Sequence, residues 1–287
     1  MGKALIIYLS QGGTTATVAS NIAKGLSEQN FTVDIRKVQN KKPINIESYD
    51  VIGIGFPVYI FRIPFVVKKF IDQLPALKGK PFFVFLLYGT ERGQAGTDAR
   101  KLLDQKGGRE IGFSHYNGED YYIGYLRKGY LFSPDHPTGN ELERAIDFGR
   151  EIHAVLAGKN YEKPPYDRGP GAVYTLERLL TTKFAVNYFY RFFYMVNKKK
   201  CDQCKICIRK CPTGNIKLNK KGYPQFGGNC ISCWYCEMYC PQEAISTPLD
   251  WPLMQPFNSY NVKRALKKTS IDHVPVKFAR GKVERIK

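Results

Sequence analysis

Apolar residues in the first half of the chain come in short, nearly uninterrupted runs. They are Ala4–Leu9 (ALIIYL), Phe31–Val38 (FTVDIRKV), Asp50–Phe56 (DVIGIGF), Pro81–Tyr88 (PFFVFLLY) and a less sharply bounded one near Ile111–His115. Such runs suit strands covered on both faces. Between them the apolar spacing turns helical. Val18, Ile22 and Leu26 share one face, as do Val66, Phe70 and Leu74. Ala95, Ala99 and Leu102 mark a third helix, and Leu142, Ile146 and Ile152 a fourth. Strand and helix alternate through residues 1–157, which predicts an α/β domain with a doubly wound parallel sheet.

The pattern then breaks. Gly158–Gly171 (GKNYEKPPYDRGPG) is rich in glycine and proline and reads as a linker. The stretch AVYTLERLLTTKFAVNYFYRFFYMVN reads as one helix with a heavy aromatic load. Its Tyr188–Tyr194 segment is expected to pack the domains together and cover the next module, in preference to touching a membrane or a quinone. The expected organisation is therefore 1–157, a linker and helix at 158–197, a cysteine module at 198–247, and a basic tail at 248–287 with no fold assigned.

All eight cysteines lie in that module, in two runs offset by 29 residues. Each run reads C-x2-C-x2-C-x3-C-P-x3-I. Three thiolates so closely spaced hold three corners of a [4Fe–4S] cube, and the chain between them is too short to add the fourth. The alternative is structural zinc. It takes four ligands and needs neither the third C-x2-C step nor the proline.

Over about 50 residues the module resembles the two-cluster bacterial ferredoxins, in which the cysteine before proline ligates the other cluster. The resemblance implies one cluster on Cys201, Cys204, Cys207 and Cys240, and a second on Cys230, Cys233, Cys236 and Cys211. Ferredoxins often carry glycine after the second cysteine, where this chain has Lys205 and Trp234. Trp234 and Tyr235 are candidates to shield one cluster, or are plain core aromatics.

In the first domain, YLSQGGTTAT puts Ser10, Gly12, Gly13, Thr14 and Thr15 between the first strand and first helix. Hydroxyls and glycine amides at a helix N-terminus cradle an anion. There is no GxxxxGK[ST] loop and no G-x-G-x-x-G after any strand. Loops after the third and fourth strands would open beside the cradle. In a sheet of order 2-1-3-4-5 that crevice binds FMN. Tyr59 and Tyr88 are candidates for the ring face, and Pro57, Val58, Gly89 and Thr90 for its polar edge. Residues 1–157 resemble the flavodoxin family, with Gly12 standing where the usual loop has a threonine. The whole chain resembles the flavodoxin–ferredoxin fusion proteins of anaerobic prokaryotes, which implies electron transfer.

No histidine lies near a cysteine or a carboxylate pair in sequence, and no catalytic residue is assigned. No apolar stretch reaches the roughly 20 residues of a bilayer span, and no export signal is read, so a cytoplasmic protein is expected. The formal charge is +19, and residues 198–287 carry 18 basic against six acidic side chains. An acidic redox protein is the expected partner. Nucleic acid is not expected, since no recognised module accompanies the charge, and peripheral membrane contact is not favoured. Besides the electron relay, a flavin-dependent reductase of a small organic substrate stays open, as does a redox sensor that binds nucleic acid.

Overall fold

The computed structural model describes residues 2–39, 44–169, 171–279 and 282–286. Pro170 of the linker and Arg280, Gly281 and Lys287 of the tail lie outside the described residues. The chain forms two compact units, one of Met1–Gly118 with Asp135–Thr175, the other of Glu119–Pro134 with Leu176–Lys287.

The first unit runs β1 (Gly2–Tyr8), α1 (Thr14–Ser27), β2 (Phe31–Lys37), β3 (Val51–Pro57), α2 (Phe65–Gln73), β4 (Pro81–Tyr88), α3 (Ala95–Gln105) and β5 (Arg109–Asn117). The sheet is parallel with order β2-β1-β3-β4-β5, as the sequence predicts. After β5 come α4 (Ile123–Leu126) and β6 (Tyr130–Phe132), which belong to the second unit. The long helix α5 (Gly139–Leu156) returns to the first. Helices α1 and α5 cross at Gly25 and Gly149. A methyl group on Gly25 would lie 1.9 Å from the Ile146 carbonyl, so this close approach needs glycine.

Two helices turn differently from expectation. In α2 the buried residues are Val67 and Ile71, while Val66 and Phe70 are half-buried; in α3 Leu103 is buried rather than Leu102. Both helices carry apolar residues side by side, so spacing alone serves two faces and packing selects one.

The 158–171 stretch is no free linker. Arg100 is fully buried, pairs with Glu110 at 2.8 Å and donates to the Pro164 carbonyl at 2.6 Å. Tyr161 donates to Glu110 at 2.9 Å, and Asp167 pairs with Arg92 at 2.7 Å. A buried guanidinium needs several acceptors. A proline-rich strap supplies bare carbonyls, and those hold it against α3.

Helix α6 (Ala172–Leu180), which the division between the units crosses after Thr175, is followed by a π turn at Ala185–Phe189 and a 3-10 turn at Tyr190–Phe193, so the expected single helix is broken. The cysteine region contains β7 (Met195–Val196), α7 (Ile206–Lys210), β8 (Ile216–Leu218), β9 (Pro224–Phe226), α8 (Tyr235–Met238) and β10 (Ile245–Ser246). Strands β8 and β9 form a hairpin, and β7 pairs antiparallel with the distant β10. The tail, given no fold from sequence, forms α9 (Gln255–Leu266) and a hairpin of β11 (His273–Ala279) and β12 (Lys282–Arg285).

The segment 119–134, within the 1–157 span expected as one domain, falls in the second unit. Strand β6 pairs with β11, and Leu126, Leu131, Met238 and Val276 form one apolar cluster. Its apolar side chains thus find their core in the second unit. Among the described residues no helix is long and apolar enough to cross a membrane.

Candidate functional site

Parallel β1, β3 and β4 end on one edge of the sheet, and the three predicted loops open there. Helix α1 starts at Thr14 with no acidic residue in its first turn, so its free amides and dipole favour an anion. Gly13 has φ 103, and a Cβ there would meet nothing within 4 Å, so the space beside this exposed backbone is open. Ser10 Oγ accepts from the Ala16 N–H at 3.3 Å and folds the loop over the helix start. Gly12 and Gly13 are exposed and Thr14 half-buried, while Thr15 is buried. Thr14 therefore offers the accessible hydroxyl.

The Tyr59 hydroxyl donates to the Gln11 side-chain oxygen and ties the second loop to the first. Ile60 and Phe61 take left-handed backbone at φ 49 and 58 to bring the chain round. Pro57, Val58 and Gly89 are half-buried at the rim, and Thr90 is buried. The Tyr88 ring meets His115 edge-on, with centroids 5.8 Å apart. Burial holds the Tyr88 hydroxyl above its ordinary pKa. Burial, then Arg92 and Arg144, lowers His115 to about 4. Both rings are neutral near pH 7, and an uncharged aromatic face suits stacking on a flat ring. One helix N-terminus open to an anion, with tyrosines on the neighbouring loops, fits a mononucleotide flavin.

The cysteines fall into two sets. Cys201, Cys204, Cys207 and Cys240 line one cavity together with Gln203, Lys205 and Leu218. Burial pushes the Cys207 thiol up to about 11, and Cys240, Cys204 and Cys201 push the same way. In the other set, burial holds Cys236 well above its ordinary value, with Cys233, Cys230, Glu237 and Cys211 adding to it. Cys230 is raised by burial first, with Cys211 contributing. The fourth cysteine of each run thus acts on the other run's trio. Four thiolates gathered in one place, some of them buried, need compensating positive charge, which a ligated iron cluster would provide; the donor set fits that group. Among the described residues no three His, Cys, Asp or Glu side chains close on a single-ion position.

The two runs are built alike. The Asn215 N–H donates to Cys211 Sγ at 3.2 Å, and its repeat-mate Ala244 N–H donates to Cys240 Sγ at 3.3 Å. Lys205 and Trp234 sit at φ 61 and 52. That backbone explains why glycine suits this place, and why other residues there carry a conformational cost.

Several neighbours of the cysteines have no signal in the sequence. Asn187 Oδ1 accepts from the Cys230 N–H at 2.6 Å, and its amide donates to the Cys230 carbonyl at 3.2 Å. The Cys230 thiol donates to the Tyr194 hydroxyl oxygen at 3.8 Å. Arg127 pairs with the buried Glu237 and with Asp250. These contacts join residues far apart in the chain, and no spacing rule marks them. Tyr194 packs on the cysteine cluster, whereas Tyr188, Phe189 and Phe192 are exposed, so most of the Tyr188–Tyr194 segment does not cover the module as expected.

The family models show a flavodoxin domain followed by a 4Fe–4S binding domain, the organisation of a flavodoxin–ferredoxin fusion, which suggests flavin and iron–sulfur electron transfer. The flavodoxin domain model matches residues 5–123, and the 4Fe–4S binding domain model matches residues 194–217. They imply FMN and a [4Fe–4S] cluster. The chain is 28% identical to an uncharacterized protein of Methanocaldococcus jannaschii over 153 residues, 52% of this chain and 97% of that protein. It is 27% identical to an NAD(P)H dehydrogenase (quinone) of Acidovorax ebreus over 130 residues, 38% of this chain and 61% of the relative's length. Among solved structures, a flavodoxin from the domain Archaea superposes with a TM-score of 0.43 at 18% identity, covering 54% of this chain and 99% of the flavodoxin.

Proposed function

We propose that the chain relays electrons between one FMN, two [4Fe–4S] clusters and an external redox protein. The observation that carries this reading is the grouping of Cys240 with Cys201, Cys204 and Cys207 around one cavity. The family match at 194–217 stops before the second run, but that run repeats the first cysteine for cysteine. When bound, FMN exchanges one or two electrons and each cluster one.

The chain's own groups do the rest. Amides at the start of α1, with Ser10 and Thr14, hold the phosphate. Tyr59 and Tyr88 flank the ring, while Pro57, Val58, Gly89 and Thr90 border its polar edge. Cys211 and Cys240 cross between the two cluster sites. Lys and Arg side chains of the last third steer an acidic partner. Eight free thiols suit the reducing cytoplasm.

The test is stoichiometry. Protein purified without oxygen should contain one FMN and about eight iron and eight sulfide per chain. Half that iron content removes the second cluster, and FAD in place of FMN removes the flavin assignment. Likeness to an NAD(P)H dehydrogenase (quinone) favours a second reading, a flavin-dependent reductase of a small organic substrate. Steady turnover of a small quinone with reduced nicotinamide, and no second protein, would select it.

A further inference from the structure

The segment from α6 through the Tyr190–Phe193 turn has two faces. Inward, Val186 and Asn187 are buried, and Asn187 grips the backbone of Cys230. Glu177, the acidic residue of α6, is buried as well. Outward, Leu179 is 66% exposed, Phe184 72% and Phe192 69%, with Leu176, Leu180, Tyr188, Phe189 and Met195 also exposed. Leu253, on the next turn, is 83% exposed; that turn is joined to the segment by Trp251, which meets Phe193 edge-on at 4.8 Å. Scattered exposed apolar residues need no explanation, but a contiguous set of this size does.

The charge around the patch is one-sided. Residues 178–200 carry six basic side chains, Arg178, Lys183, Arg191, Lys198, Lys199 and Lys200, and no acidic one. Arg191 lies over the rings of Tyr188 and Phe192, 5.7 and 4.7 Å from their centroids. Cations interleaved with Phe, Tyr and Leu match the boundary between acyl chains and anionic headgroups. A second copy of the chain would bring like charges together. An acidic soluble protein would satisfy the lysines and arginines but leave the exposed apolar side chains without a reason.

We propose that this face docks the protein on the surface of an anionic phospholipid bilayer, lying in the interface without crossing it. Leu179, Phe184, Tyr188, Phe189, Phe192 and Leu253 enter the acyl boundary, and Lys183 and Arg191 meet lipid phosphates. Because Asn187 holds Cys230, docking sets the second cysteine set beside the lipid surface. The proposal does not depend on which way electrons flow.

The experiment is co-sedimentation of the full, cofactor-loaded protein with phosphatidylcholine vesicles, with and without phosphatidylglycerol. Binding should require the anionic lipid and weaken as salt rises. Phe184→Ser with Phe192→Ser should weaken it about tenfold, and Lys183→Glu with Arg191→Glu should abolish it at low salt. All four positions are on the surface, and unchanged visible absorbance checks that each variant retains its cofactors. No binding to anionic vesicles overturns the proposal. Equal binding by the aromatic variant reduces it to general charge attraction, which also overturns it. A dimer that the aromatic substitutions dissolve and vesicles do not disrupt assigns the face to a second copy instead.

Discussion

At the position after the first cysteine, one run has the exposed Asp202 and the other the buried Ile231. One step on, exposed Gln203 faces buried Ser232. Exposed Lys205 answers half-buried Trp234, and exposed Arg209 answers buried Met238. Yet the backbone is the same, down to the left-handed residues and the amide donated to each fourth sulfur. The repeat preserves what holds a cluster and varies what surrounds it. A cluster gains negative charge on reduction. Water and nearby cations favour that gain, and burial opposes it. The first site should therefore be reduced at the higher potential and meet soluble partners. The second, held by Asn187 and Tyr194 and flanked by Trp234, should be the low-potential, sheltered one.

The strongest way to break this comparison is to strip the second site. Trp234→Gly removes a ring that meets Tyr122 edge-on at 5.3 Å. It should cost about 3 kcal/mol despite relieving the left-handed backbone. Loss of the second cluster to a chelator should quicken, with the first unaffected. Next is Asn187→Ala, which leaves the Cys230 amide without its acceptor at a cost of about 1–3 kcal/mol. Half the iron should become labile while the flavin stays bound. Equal loss from both clusters in either variant would show that the two sites are not independent.

Smaller changes sharpen the contrast. Tyr194→Phe deletes the hydroxyl next to Cys230 Sγ, which would donate to the sulfur once it is a ligated thiolate and so favour the reduced state. It should lower one potential by roughly 40 mV, the one-electron equivalent of about 1 kcal/mol, and leave the other unchanged. Redox titration followed by electron paramagnetic resonance reads this directly. The smallest effect is Lys205→Gly. The side chain is exposed and its φ is 61. Glycine should slow cluster loss slightly, a gain of at most about 1 kcal/mol, the opposite sign to Trp234→Gly.

The strand order, the loop that opens α1 and the two cysteine runs were legible because each rests on local chemistry. Apolar runs read as covered strands, glycines before a helix read as an anion cradle, and thiol spacing reads as cluster ligation. What escaped was tertiary. The 119–134 segment has tyrosines and leucines that look like flavodoxin core, and only β11 and Met238 show where they pack. The proline-rich stretch looks like a linker because its partner, Arg100, lies more than 60 residues away. Asn187 and Tyr194 are an ordinary amide and phenol until the chain folds them onto Cys230. In α2 and α3 adjacent apolar pairs left the buried face ambiguous. The aromatic stretch was expected to be covered because aromatic side chains usually are, but its charge pattern suits a surface.

The crossing of Cys211 and Cys240 between the two sites is the central claim, and spectroscopy of single substitutions tests it most directly. Cys204→Ser and Cys233→Ser mark the first and second clusters. Cys211→Ser should reproduce the spectrum of Cys233→Ser, with one altered or three-iron cluster, an intact partner cluster and full FMN. Serine offers a harder, far less acidic oxygen, so the cube that loses its thiolate becomes labile. If Cys211→Ser instead reproduces Cys204→Ser, each run holds its own cluster and the crossed arrangement is wrong.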